Sequence, residues 1–233
     1  MSSGKTVHPL LFALVLAALV APSSRARAVG ISTLTEDGAW SWFSDPRAFC
    51  AGDVVYAGWV TTEGDVQIGS YDLLDGETFV FDLEVEFGPD DHDYPAFCQT
   101  SDGHYTAFYS GHAVYRTCGL FRTALFPDDI TSWGARDSTG IQVAGSGGTT
   151  YSNPYEVPGE TDEYYLFWRG GDWKPNYAVG TYDPATHLWD WSFRGRLITT
   201  GSGRPYVKFA QDGNRIGFAF TDGHPKELSL IHI

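Results

Sequence analysis

Four times along this chain a proline opens a short apolar run, a glycine-containing turn follows, and an aromatic strand returns. The anchors are Pro46, Pro95, Pro154 and Pro205, spaced 49, 59 and 51 residues apart. Asp45-Pro46-Arg47 leads to a turn at Gly52-Asp53 and a return over residues 54–60. Tyr94-Pro95 leads to Ser101-Asp102-Gly103 and residues 105–109. Asn153-Pro154 leads to Gly159 and residues 164–168, and Arg204-Pro205 to Asp212-Gly213 and residues 215–220. Proline is tolerated at the first residue of a strand, where its missing N–H costs least. Asx-Gly between alternating runs is a hairpin signal. Further alternating runs at residues 65–71 and 78–83, and at 177–182 and 189–193, supply additional strand pairs; residues 113–117 read as one more strand.

A period of about 50 residues built from paired strands is that of a propeller blade. A set of unrelated hairpins in a sandwich is the alternative, but it would not require a shared grammar. The expected fold is all-β: a β-propeller of four-stranded antiparallel blades, with about four blades present. Composition agrees. Aromatics reach 15%, with 8 Trp and 13 Tyr, and there are 27 Gly and 1 Met, a mix suited to strands and tight turns.

The first 28 residues read as a secretory signal peptide. Lys5 precedes an apolar core at residues 10–20, and Ala26-Arg27-Ala28 forms an A-x-A cleavage site. The propeller domain is expected over residues 29–233, secreted to an extracellular or periplasmic space. Formal net charge is −14, and removing the leader would make it more negative, because the leader carries basic residues and no acidic ones. Such a surface argues against nucleic acid and anionic membranes as partners. It leaves room for an acidic polymer that meets a local basic patch. Cys50, Cys98 and Cys118 are an odd number with no C-x-x-C spacing. A cysteine-built zinc site is therefore not expected, and one disulfide with a free thiol or three thiols both stay open.

In an antiparallel hairpin the first strand's start and the second strand's end share one edge of the blade. Those positions carry Arg47 and Trp59 in the first repeat; His92, Tyr94 and His112 in the second; Tyr151 and Arg169 in the third; and Arg204, Tyr206, Asp222 and His224 in the fourth. Each has a plain structural explanation. His92 and His112 suit solvated turns, Tyr151 a core aromatic, and Arg169 an ion pair with an acid such as Glu163. Gathered on one face, however, these histidines, tyrosines and arginines form a set suited to proton transfer and carboxylate binding. Asp90, Asp91 and Asp93 are a further cation-binding option without diagnostic spacing. No G-x-S-x-G, Walker A, H-E-x-x-H or EF-hand pattern occurs.

The segments WSWFSDPRAF, GWVTTEGDVQIGSYD, DDHDYPAF, DGHYTAFYSGH, YSNPY, LFWRGG, GRPYVKF and TDGHP resemble, in order, the BNR-repeat proteins that include the seven-bladed ulvan lyases. The resemblance runs over residues 38–225. It implies seven blades, so about three would be missing here, and residues 228–233 (LSLIHI) leave the blade grammar. It also implies β-elimination on a sulfated, uronate-containing polysaccharide. His92 and Tyr151 would then serve as base and acid in either order, and Arg169 would neutralise the carboxylate. His112 and Tyr206 would contact substrate, and Arg204 and Trp59 join them as expected contacts from their blade-end positions. No cofactor is required by that chemistry, a structural calcium or zinc ion stays open, and a monomer is expected. The rival readings are a sialidase-type hydrolase using Arg47, Arg169 and Arg204, and a carbohydrate-binding propeller without turnover.

Overall fold

The computed structural model describes residues 32–39, 41–112, 119–142, 148–199, 203–221 and 223–224. The expected signal peptide, the strand at 113–117, Cys118, Asp222 and the 228–233 tail lie outside the described residues. Among the described residues no helix is long and apolar enough to cross a membrane.

Three four-stranded antiparallel sheets and one hairpin follow in chain order. The first contains β1 (Ala48–Ala51), β2 (Val54–Val60), β3 (Val66–Asp72) and β4 (Thr78–Glu84). The second contains β5 (Ala96–Gln99), β6 (Tyr105–Tyr109), β7 (Leu120–Thr123) and β8 (Asp137–Ser138). The third contains β9 (Thr150–Glu156), β10 (Glu163–Arg169), β11 (Pro175–Asp183) and β12 (Leu188–Arg196). The hairpin is β13 (Val207–Asp212) with β14 (Arg215–Phe220). Within each sheet the strands neighbour one another in sequence order, as in propeller blades. The alternating runs at 65–71 and 78–83 therefore complete the first blade as β3 and β4.

The second blade differs from its expected layout. Its third strand is Leu120–Thr123 and its fourth is only two residues long. Such short strands carry no legible alternation.

Three buried layers hold successive blades together. Tyr56, Val60 and Ile68 of the first blade meet Phe97, Tyr105 and Tyr109 of the second. Phe108 and Phe121 meet Leu166, Trp168 and Ala178 of the third, flanked by Trp189 and Trp191. Tyr155 and Phe167 meet Val207 and Phe209 of the hairpin. Close approach decides one glycine in the first layer. A Cβ on Gly58 would lie 2.4 Å from Pro95 Cγ, so the second repeat's anchor proline packs directly on the first blade's backbone. Burial falls from the core outward: β6 is buried at every position, β11 alternates over much of its length, and β12 reads half-exposed or exposed throughout.

Candidate functional site

Five of the strand-end residues named from the repeats, His92, His112, Tyr151, Arg169 and Tyr206, come into contact with one another in a single row. Asp90 sits in the loop that leads into β5 and is the centre of the arrangement. Its Oδ1 accepts from His92 Nδ1 at 2.5 Å and from the His92 amide at 3.0 Å. Its Oδ2 accepts from His112 Nδ1 at 2.7 Å. Burial works against the Asp90 charge, yet the hydrogen bonds from His112 and His92 hold its carboxyl well below the usual range. A carboxylate can only accept, so both Nδ1 atoms carry hydrogen, and Nε2 is the nitrogen through which each ring would exchange a proton.

Neighbouring Asp93 is the opposite case. It is buried, and burial together with the charges of Asp90 and Asp91 pushes its carboxyl up to about 8. The amide of His112 donates to its Oδ1 at 2.8 Å.

From this loop a row of side chains crosses to the third blade. The His112 and His92 rings stack with centroids 4.3 Å apart. His92 stacks on Tyr151 at 4.9 Å. The Arg169 guanidinium lies 4.6 Å from the Tyr151 ring and 4.9 Å from the Tyr206 ring, both within cation–π range. Phe43 closes the back of the row, 5.4 Å from Tyr151 and 4.7 Å from Tyr206.

A β-bulge aims Tyr151. Phe167 pairs with Asn153 and Arg169 with Thr150, so Tyr151 and Ser152 together oppose Trp168 alone. Tyr151 is left-handed at φ 62°, a conformation that costs a non-glycine residue energy and must be held by its surroundings. Asn153 supplies the hold: its Nδ2 donates to the carbonyls of Tyr151 at 2.6 Å and Phe43 at 3.0 Å. Burial, offset in part by Arg169 and reinforced by Tyr206, raises the Tyr151 hydroxyl well above its ordinary value. It is therefore protonated at neutral pH.

Arg169 is 4% exposed and has no acidic partner among the described residues; its Nη1 lacks a hydrogen bond. Glu163 is at the far end of β10 and does not pair with it. A buried cation without a counterion is costly, and a ligand carboxylate would offset that cost. Arg204 stands apart on Trp173, with its guanidinium 3.7 Å from the ring centroid; Trp173 in turn lies 5.0 Å from Arg169. His224 contacts the Tyr206 ring edge at 5.1 Å.

Three other residues from the repeat ends go elsewhere. Trp59 is not a substrate contact: it is buried, its Nε1 donates to Gln67 at 2.7 Å, and its ring packs under Gly69. Tyr94 is a staple, its hydroxyl donating to Ser41 O at 2.7 Å and accepting from the Ser44 amide at 2.8 Å. Arg47 pairs with Asp45 at 3.5 Å. The cation option shifts as well. The donors gathered within reach of one ion are Asp90, His92 and His112, rather than the three aspartates.

Sequence alone does not single out Phe43, and it offers Asp90 only as one of three aspartates open to a cation and Asn153 only as the residue before an anchor proline. Asp90 stood in plain view beside His92, but nothing local says that one carboxylate serves two histidines 20 residues apart.

Residues 54–232 match the BNR repeat-containing family. The fold and the repeated blade ends define the class, and the chain belongs to that family. A search of curated protein sequences found no match. Among solved structures, the chain is similar to a polysaccharide lyase described as a PL25 ulvan lyase bound to -[GlcA(1-4)Rha3S]-. Identity is 15%, the TM-score is 0.54, and the match covers 79% of this chain and 47% of that one. It is also similar to polysaccharide lyase Uly1, at 15% identity and TM-score 0.52, over 84% of this chain and 52% of that one. The chain thus spans about half the length of the lyases it matches, and the likeness is one of fold.

Proposed function

We propose that the chain forms part of a secreted polysaccharide lyase that cleaves a uronate-containing, sulfated polymer of the ulvan type by β-elimination. The observation that carries this reading is the contiguous row His112–His92–Tyr151–Arg169. In it two imidazoles, a protonated phenol and a guanidinium with no acidic partner among the described residues stand side by side, which supports roles of base, acid and carboxylate binder. Arg169, and with it the edge of Tyr206, would take the uronate carboxylate, offsetting its charge so that the neighbouring C5–H becomes acidic. His92 Nε2 would accept that proton. The C–H electron pair becomes the C4=C5 double bond as the C4–O bond breaks. The leaving oxygen takes the Tyr151 proton, which suits a hydroxyl that burial keeps protonated. His112 would orient the sugar, and Arg204 on Trp173 would meet a flanking anionic group.

The sialidase-type alternative draws less support, since Arg47 is engaged with Asp45 and Arg204 with Trp173. The test is incubation with ulvan while the ultraviolet absorbance of the unsaturated uronate is followed. Product accumulation that disappears in His92→Ala and Tyr151→Phe is expected. New reducing ends without the chromophore would mean hydrolysis and would sink the proposal. Glycan binding without turnover would favour a binding propeller.

A further inference from the structure

A second cluster of metal-ligating side chains sits at the opposite ends of the strands from the row described above. The turn between β5 and β6 carries Asp102 and His104, and the turn between β11 and β12 carries His187. These residues are up to 85 positions apart, yet their ligating atoms all lie within 4.8 Å of one another. His187 Nδ1 is 3.3 Å from Asp102 Oδ2, and the His104 and His187 rings approach to 4.5 Å. Tyr182 joins them, its hydroxyl 2.9 Å from His187 Nδ1 and 3.2 Å from Asp102 Oδ2.

One atom in the cluster points to a ligand. His104 is 6% exposed, and its buried Nδ1 has no hydrogen-bond partner. It stands 3.0 Å from Asp102 Oδ1, outside hydrogen-bonding geometry. The other acceptor position on that oxygen is already used by Thr100, whose Oγ1 donates at 2.6 Å. A buried polar atom left in this way is costly unless something else approaches it. A buried imidazole nitrogen without a hydrogen-bond partner, beside a carboxylate and a second imidazole, is an arrangement that a metal ion would complete.

The geometry points to a binding site for a zinc-class divalent ion at Asp102, His104 and His187. Two imidazole nitrogens and one carboxylate oxygen suit zinc, and do not suit calcium or magnesium, which favour all-oxygen shells. Three protein ligands leave a fourth position for water or for the Tyr182 hydroxyl. Because His187 belongs to the third blade and the other two ligands to the second, the ion would clip these blades together. It would act beside an existing tie in which Ser101 donates from its amide and hydroxyl to Asp162, at 2.9 and 2.5 Å. This site is independent of the lyase reading.

The experiment is calorimetric titration of chelator-stripped protein with zinc chloride, in wild type, His187→Ala and His92→Ala, with thermal unfolding followed in parallel. His187 is half-exposed, so its replacement leaves the apo fold intact, which the zinc-free melting temperature checks. The expected result is about one zinc per chain. Affinity should fall by more than about tenfold in His187→Ala and stay unchanged in His92→Ala. Zinc should also raise the melting temperature of wild type but not of His187→Ala. Absence of zinc binding in wild type, or binding that survives His187→Ala and is lost in His92→Ala, would overturn the assignment.

Discussion

His92 and His112 stack face to face at 4.3 Å and turn their Nδ1 atoms to opposite oxygens of a single carboxylate, Asp90. Two imidazoles that share one acceptor have a common tautomer and a common orientation. Asp90→Asn keeps the shape but offers an amide that can donate, so at least one ring is released or flips tautomer. On the proposed chemistry, kcat should fall by on the order of 10²-fold with a smaller change in KM, and the pH–rate profile should shift. An unchanged pH profile would mean that Asp90 is merely structural.

Arg169→Lys tests the carboxylate reading. Lysine keeps the charge but cannot make paired, planar hydrogen bonds. A loss of about 10²-fold or more in kcat/KM is expected, measured from the rate of unsaturated product formation. Wild-type kinetics in this variant would remove Arg169 from the uronate site.

Asp93 should make stability fall as pH rises. Its folded-state carboxyl titrates near 8 against an ordinary value of 3.8. Below about pH 4 it is protonated in both states and contributes fully. Above that the unfolded chain ionises first, and the contribution is lost progressively as pH climbs through about 8. Asp93→Asn should flatten this part of the stability curve and melt higher than wild type at pH 8, as thermal scans across the range would record. Asp90 carries the opposite sign: its depressed carboxyl contributes above the ordinary carboxylate range, and that contribution is lost on acidification.

Leu166 is fully buried in the layer between the second and third blades, where a Cβ on Gly119 would approach its side chain to 2.6 Å. Leu166→Ala leaves a cavity there and should cost about 2–5 kcal/mol, read from denaturant unfolding. A loss under about 1 kcal/mol would show that the blades relax around the gap.

Asn153→Ala separates scaffold from chemistry. Without its two bonds to the Tyr151 and Phe43 carbonyls, the left-handed Tyr151 loses its hold. Stability should drop by about 1–3 kcal/mol, and activity should drop with the tyrosine still present. Full activity would show that the bulge holds itself.

The sequence by itself determined the blades and the face on which function gathers. Proline anchors, Asx-Gly turns and alternating runs act within a few residues of one another, and strand pairing in sequence order converts that local grammar into a fixed edge. His92, His112, Tyr151, Arg169 and Tyr206 are therefore legible as one group in the sequence itself. The tertiary structure alone decided what each does there. Trp59 was drawn into packing because Gly69 leaves room beneath its ring. Asp90 became the shared acceptor because two loops 20 residues apart converge on it. Tyr151 was turned by a bulge whose register depends on the partner strand. The Asp102–His104–His187 cluster exists only because two blades meet. Burial, register and contacts between distant segments follow from how blades pack, and no local run of residues carries that information.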